Sequence, residues 1–555
     1  MLLAAAAALL QSAAGDGAER PLVLAHARVL DAAGEGWLED GAVVLRGGRI
    51  ERIAAAAAIG VVPGATTLDL HGRALIPGLI DLHTHLLLHP YDETPWDEQV
   101  AKEPLELRSI RAAVQARATL AAGFTTIRDL GTEGARFADV ALRDAVRARL
   151  VEGPRILATT RALVATGCYG PSGYDGGGEA PVGAQEASGA DAMRRAVREQ
   201  IAAGADWIKV YADYRRGGDP EATATFTLEE LEAAVDEARS AGRKVAAHAT
   251  TSEGIRRAVF AGAATIEHGW GADGEALALM AGEGVALCPT LAAVEALALQ
   301  AGWRPEQGRP PRLERALETV RRARELGVAI ACGSDAGVFA HGTNSREIEL
   351  LVAAGLPPAE ALRAATSLAA DLLERGDLGR LAPGAVADLV ALDGDPLADP
   401  AALRRVALVV QEGRVAVDRR AEATPRGGAA EQAEVVDACR RFLDDYSSGD
   451  LDAVARAFAP GAIVAIDADA RGEARVLSAE QFLERARANR AKGGALRETI
   501  TGLPVALVDG GIATVWAPFR VESDGGASHG IDAFQLVRTG GAWRITALAW
   551  TSRRG

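Results

Sequence analysis

The sequence has 555 residues, too many for one ordinary domain, and 49% of them are hydrophobic, enough for a large core. Its formal net charge of -15, with acids and bases mixed along the chain, argues against non-specific nucleic-acid binding. The four cysteines, Cys168, Cys288, Cys332 and Cys439, are scattered with no CxxC among them, so no disulfide framework is implied.

Residues 1–18 lie in "MLLAAAAALLQSAAGDGAER", a short apolar run followed by small residues, which is the pattern of a secretory signal peptide without a basic start. The run is too short to span a membrane as a helix, and no other segment qualifies. The expectation is an exported bacterial protein, periplasmic or secreted, or a cytoplasmic one if the run is not a functional signal. Residues 19–75 read as short strands. In "AVVLRGGRIERI" two alternating runs meet at Gly47–Gly48, a hairpin signature. Residues 376–418 end in a similar pattern, "AVADLVALDG" then "RVALVVQEGRVAVD".

Between these flanks, residues 76–375 repeat one motif: a helix-period segment ends at Gly and a short β-branched run follows. The joints are "AAGFTTIRD", "AAGADWIKVY", "SAGRKVAAHA", "FAGAATIEHG", "AGEGVALCPT" and "ELGVAIACGSD". With "ALIPGLIDLHTH" and "GPRILATTRAL" the strands number eight. Helices between consecutive strands force parallel pairing, so the fold class is α/β and the expected architecture is a (β/α)8 TIM barrel. An open doubly wound sheet normally has fewer strands and a Gly-rich phosphate-binding turn, and neither GxGxxG nor GxxxxGK[ST] occurs.

Residues 419–432 read as a linker and 433–555 as a separate α+β domain. Val435, Cys439, Phe442 and Tyr446 fall on one face of its first helix, and Phe534, Leu536, Trp543, Ile545 and Trp550 on later strands supply a small core. His529 and Asp532 read as exposed strand polars rather than an acid–base pair.

Reacting groups of such a barrel gather at the C-terminal ends of its strands. Strand one ends in His83 and His85, strand four carries Lys209, strand five His248, strand six Glu267–His268, and strand eight ends in Asp335. Four of the nine histidines thus converge with one Lys and one Asp. Side chains at i and i+2 of a strand share a face, so His83 and His85 project together, as a metal clamp requires. Asp81, on the same face, reads as support for a ligand. Lys209 sits between Ile208 and Val210 in an apolar strand. Buried there it either sheds its proton and reacts with carbon dioxide to a carbamate able to bridge two metals, or snorkels out charged. Sequence physics leaves both open.

"PGLIDLHTHL", "DWIKVY", "KVAAHATTSEGIRRAVFAGAATIEHG" and "GSDAG" resemble the metal-binding motifs of the amidohydrolase superfamily, in its imidazolonepropionase-like and Xaa-Pro-dipeptidase-like branch. The resemblance implies that His83 and His85 ligate a first metal, that Lys209 is the carboxylated bridging lysine, and that His248 and His268 ligate a second metal. It makes Asp335 the last ligand and the acid–base residue. The implied cofactors are two divalent ions, zinc by preference, and the implied reaction is attack of a metal-bridging hydroxide on a C–N amide bond of a small dipeptide-like or N-acyl amino acid substrate. The alternatives are a cyclic-amide hydrolase with the same site, or a non-enzymatic ligand-binding protein with a vestigial barrel. The resemblance also implies that residues 19–75 and 376–418 form one β-sandwich beside the barrel.

Candidate substrate residues are Tyr211, on the face of Lys209, His341 in the loop after strand eight, and Tyr169. Relatives often carry a Gly-Gly-His-Gly-like loop after strand three; this chain has "ATGCYGPSGYDGGG", with Cys168 and Tyr169 there and no His. Its Gly176 to Gly178 read as part of a mobile lid. His26, His71, His89 and His529 read as structural. Residues 433–552 resemble the nuclear-transport-factor-two-like cone fold, which implies an accessory or dimerising module. The expected partners are a small-molecule substrate and a second copy of the chain, with neither nucleic acid nor membrane.

Overall fold

A computed structural model describes residues 20–170, 183–216, 219, 221–420, 429–466, 475–492, 496–501, 504–509, 511–523 and 526–554. The expected signal peptide, Gly176 to Gly178 and the middle of the expected linker lie outside the described residues. The chain divides into two units, Met1–Arg419 and Arg420–Gly555. Among the described residues no helix is long and apolar enough to cross a membrane.

Both ends of the N-terminal unit meet in one connected eight-stranded sheet. Its strand order is Arg414–Asp418, Val406–Gln411, Leu389–Leu392, Ala74–Pro77, Leu22–Leu30, Trp37–Arg46 and Arg49–Ala55, with Thr66–Asp69 also on Leu22–Leu30. Leu22–Leu30 pairs first with Thr66–Asp69 and then, through Arg28 and Val29, with Ala74 and Leu75. The changeover falls at His26, whose φ of 54° breaks the extended run and whose Nδ1 meets Asp40 at 2.8 Å. The hairpin turn at Gly47–Gly48 has φ of 57° and 74°, the left-handed pair that a two-residue turn demands.

Seven regular barrel strands follow: Leu79–Thr84, Phe124–Asp129, Arg155–Ala158, Ile208–Tyr211, Val245–Thr251, Thr265–Gly271 and Ala286–Cys288. All neighbouring pairs among them that form ladders are parallel, as the intervening helices require. Three of those helices end at Gly204, Gly262 and Gly284 in the left-handed conformation, at the joints expected from sequence. Strands three and four are joined by Asp206 N–H to Ala158 O at 2.7 Å.

The eighth strand, over residues 329–336, is held by bridges at Ile330 and Ala336 rather than by a regular ladder. It closes the ring: Ala331 N–H bonds Leu287 O at 2.8 Å, and Leu82 N–H bonds Cys332 O at 2.9 Å. Gly333 permits this approach, because a Cβ there would overlap Cys288 Sγ and come within 2.8 Å of His83 Cβ. All four cysteines are free and buried.

The C-terminal unit packs helices Ala429–Ser448, Leu451–Ala457 and Ala479–Ala491 with a seven-stranded sheet, over a core of Val435, Cys439, Phe442, Phe534, Leu536 and Ile545. One expectation is corrected here. Asp532 is not an exposed strand polar; it is 2% exposed, on the face that carries Phe534 and Leu536.

Candidate active site

The ends of strands one, four, five, six and eight bring the expected residues together. The His83 ring centroid lies 5.3 Å from His85 and 5.1 Å from His268, and His248 lies 4.5 Å from His268. Asp335 Oδ1 is 3.3 Å from His85 Nε2 and 3.6 Å from His83 Nε2. The ligating atoms of His83, His85 and Asp335 all lie within 4.8 Å of one another. His268 and Asp335 have φ of 72° and 63°, left-handed values that bulky residues rarely adopt and that cluster at functional sites.

Three of the four imidazoles are oriented from behind. His83 Nδ1 bonds Glu267 at 2.8 Å, His85 Nδ1 bonds Gly131 O at 3.0 Å, and His268 Nδ1 bonds Thr290 Oγ1 at 2.7 Å, leaving each Nε2 for the centre. Asp81 accepts from the backbone N–H of His83 at 3.1 Å and of Ser334 at 2.9 Å. It therefore fixes the backbones that carry His83 and Asp335 rather than a ligand ring.

Burial, then the nearby Lys209 charge, draws His83 down to about 4 and His248 well below the usual histidine range. Burial and then His248 do the same to His268. These three rings are neutral, as ligands must be. Burial lowers His85 too, but the Asp335 hydrogen bond and the charges of Asp335, Glu133 and Asp129 together outweigh it and carry the ring up to about 9. Burial works to raise the Asp335 carboxyl, and His83 and His85 together hold it below its ordinary value. Lys209 is 1% exposed, and burial pulls its amine down to about 8 against the opposing pull of Glu267 and Asp335.

Two buried nitrogens at this centre, Lys209 Nζ and His248 Nδ1, have no hydrogen-bond partner among the described residues. Leaving such groups unpaired is costly. Neutral imidazoles, a carboxylate and two uncommitted nitrogens make a donor set that fits divalent metal ions.

Above the centre opens a cavity of about 1030 Å³ walled by Trp96, Tyr169, Tyr211, Tyr214 and Trp270. Tyr169 and Tyr211 thus reach the cavity as expected of substrate residues, and Tyr211 stacks on His248 at 4.4 Å. His341 does not. Its Nδ1 meets Thr119 Oγ1 at 2.9 Å and its Nε2 meets the His85 carbonyl at 3.2 Å, so both ring nitrogens are committed to holding the loop behind His85. His89 is likewise occupied, by Glu93 and Glu103.

Sequence reasoning missed Arg128, Glu267 as an orienting group, and Glu133. Arg128 is fully buried; it donates to Glu267 at 2.9 Å and to Leu82 O at 2.7 Å. Burial favours the neutral form of Glu267, but Arg128 and the hydrogen bond from His83 hold its carboxyl well below the usual range. An arginine inside the run "TTIRD" was the available signal.

Residues 74–416 match the model described as "Amidohydrolase family", and residues 430–551 match one described as "Putative lumazine-binding". The chain is similar to a crystal structure of a prolidase complexed with N-methylphosphonate-L-proline, with 34% identity, a TM-score of 0.64, and coverage of 72% of this chain and 100% of that one. It is 31% identical over 359 residues to an ochratoxinase of Aspergillus niger, covering 59% of this chain and 71% of the relative. It is 28% identical over 373 residues to an imidazolonepropionase of Streptomyces griseus, covering 64% and 87%.

Proposed function

The chain belongs to the amidohydrolase family and is a hydrolase acting on C–N bonds, and from that premise we propose that it cleaves a small dipeptide-like or N-acyl amino acid amide at a binuclear metal centre. The observation that carries the reading is the pair of buried, unpartnered nitrogens, Lys209 Nζ and His248 Nδ1, beside the close set His83, His85 and Asp335.

His83, His85, Lys209, His248, His268 and Asp335 would hold two divalent ions, zinc by the chemistry of the donors. Bound there, the ions supply an acidified water and a Lewis-acid contact for the scissile carbonyl. Lys209 contributes as a carbamate: its neutral amine adds to carbon dioxide and loses a proton, which turns a buried cation into an anion with two oxygens. The low proton affinity that burial gives this amine favours that addition. Asp335, held ionised, takes a proton from the attacking water and returns it to the leaving nitrogen. The aromatic walls seat apolar parts of the substrate and exclude bulk water from the centre.

Metal analysis with a screen of dipeptides and N-acyl amino acids tests this. Near two ions per active chain with amide cleavage is the expected result; fewer than one ion per active chain would sink the binuclear reading. Similarity to imidazolonepropionase supports a second reading, the same centre acting on a cyclic amide. Turnover of cyclic amides with none of the linear ones would favour it.

A further inference from the structure

Beyond the histidines and Asp335, the charged side chains that line the cavity are Asp97, Glu133, Arg215, Asp219 and Arg312. After strand two stands Glu133, 1% exposed and lining the cavity. Its Oε2 accepts from Trp96 Nε1 at 2.9 Å and from the Tyr169 hydroxyl at 2.7 Å, and the Tyr211 hydroxyl bonds that of Tyr169 at 3.3 Å. One carboxylate oxygen is thus held by two donors, which fixes the group. The other, Oε1, has no hydrogen-bond partner among the described residues. The ring nitrogen His85 Nδ1 is 3.9 Å away and already committed to Gly131. No lysine or arginine among the described residues comes within 4.0 Å of Glu133, whose charge acts on the buried Arg108 guanidinium from farther off. A carboxylate oxygen buried without a donor is expensive, and a donor arriving with a ligand removes the cost.

Strand six lies across the ring from strand two. There the Arg312 guanidinium sits over the Trp270 ring at 4.8 Å, and beyond strand four Arg215 sits over Tyr214 at 5.6 Å. Both arginines line the same cavity. Neither has a carboxylate partner among the described residues, and the charges nearest Arg312 are like-signed, Arg215 and Arg315. Two cations on one rim attract an anion.

We infer that Glu133 is the receptor for a substrate ammonium and that Arg215 and Arg312 receive its carboxylate, so that the enzyme selects a zwitterion with a free amine over an N-acylated or neutral amide. This rests on the reading of the site as an amide hydrolase and narrows it. An N-acyl amino acid answers the arginines but leaves Glu133 Oε1 bare. A neutral ring answers neither. A dipeptide with both termini free answers both, with its amide between them above the histidines.

The test separates recognition from turnover. Calorimetry with the metal-loaded protein compares the ketomethylene isostere of leucyl-phenylalanine, which has no C–N bond to cleave, with its des-amino analogue and its C-terminal amide. The des-amino analogue and the amide should each bind about tenfold or more weakly, as expected for a lost charge-assisted hydrogen bond. Glu133→Gln should erase the first difference and leave the second; Arg312→Met should shrink the second and leave the first. Equal binding of isostere and des-amino analogue by the wild-type protein overturns the inference, whether or not the variants fold. So does discrimination that survives in folded Glu133→Gln, or failure of the isostere to bind at all. Hydrolysis of leucyl-phenylalanine and 4-methylpentanoyl-phenylalanine is followed separately. Equal cleavage of both removes the inference and leaves the hydrolase reading standing. The expected isostere binding with no cleavage of any amide removes the hydrolase reading instead.

Discussion

Arg128 and Glu267 form an ion pair 2.9 Å long in which neither side chain is exposed to solvent. The same carboxylate bonds His83 Nδ1, so a charge buried in the barrel interior governs how a candidate ligand is presented. Removing one partner strands the other charge in a dry site, which costs about 3–5 kcal/mol. Arg128→Met should lower stability by about that much in chemical denaturation and reduce bound metal. Adding Glu267→Met should recover most of the stability but not the metal. A double variant that binds metal normally would show that the pair does not serve His83.

Asp335→Asn should keep most of its metal, since the histidines remain, and lose about 10²–10⁴-fold in kcat. Steady-state kinetics with metal quantified on the same sample is the check. A loss under about tenfold with metal retained would remove Asp335 from proton transfer.

Lys209 should make metal loading depend on carbon dioxide. Protein stripped of metal and reloaded in bicarbonate-free buffer should take up less metal and show less activity than protein reloaded with bicarbonate, and Lys209→Met should show no such difference. Equal loading with and without bicarbonate in the wild-type chain would argue for a plain amine.

His341→Phe should act on stability and metal binding rather than on substrate choice. The ring joins Thr119 to the His85 carbonyl, and losing those bonds from a buried site costs about 1–3 kcal/mol. Thermal unfolding and metal affinity should both fall. A changed preference between substrates at full metal occupancy would return His341 to the substrate site.

Asp532 should make the C-terminal unit less stable as pH rises. Burial, and then the Glu498 charge, push its carboxyl up to about 8, and its Oδ2 has no partner among the described residues. The folded group therefore keeps its proton to a higher pH than the unfolded one, which titrates near about 4. The contribution to stability is complete below that value and is lost as pH rises from about 4 to about 8. Asp532→Asn should flatten the dependence, raising the unfolding midpoint of this unit at pH 8 more than at pH 5. An unchanged pH slope would place the titration elsewhere.

The barrel and the candidate metal ligands were legible because both rest on local patterns. Gly at a helix end followed by a β-branched run marks each joint, and the spacing of His83 and His85 puts two imidazoles on one strand face. Glu267 was visible beside His268, yet strict alternation sends adjacent residues to opposite faces. The φ of 72° at His268 breaks that alternation, and no local pattern announces it. His341 was misjudged because the direction of a loop ring depends on a contact with Thr119, far away in sequence. Glu133 went unnoticed for the same reason, since its partners Trp96, at the start of a helix, and Tyr169, in a loop, lie far from it in sequence. The reading of Asp532 failed because a polar residue on a strand was assigned to the outer face.

The strand Ala74–Pro77 runs on through Gly78 into the strand Leu79–Thr84 that carries His83, and its partner on one side is Leu389–Leu392, with Pro77 opposite Leu389. On a ribosome the first of these strands emerges long before the second. The anchoring of the histidine strand is therefore a late event in synthesis, closed by contacts of wide sequence separation, which form slowly. A nascent chain halted just before Leu389 already carries every candidate ligand, and still lacks the strand that holds the first two in place.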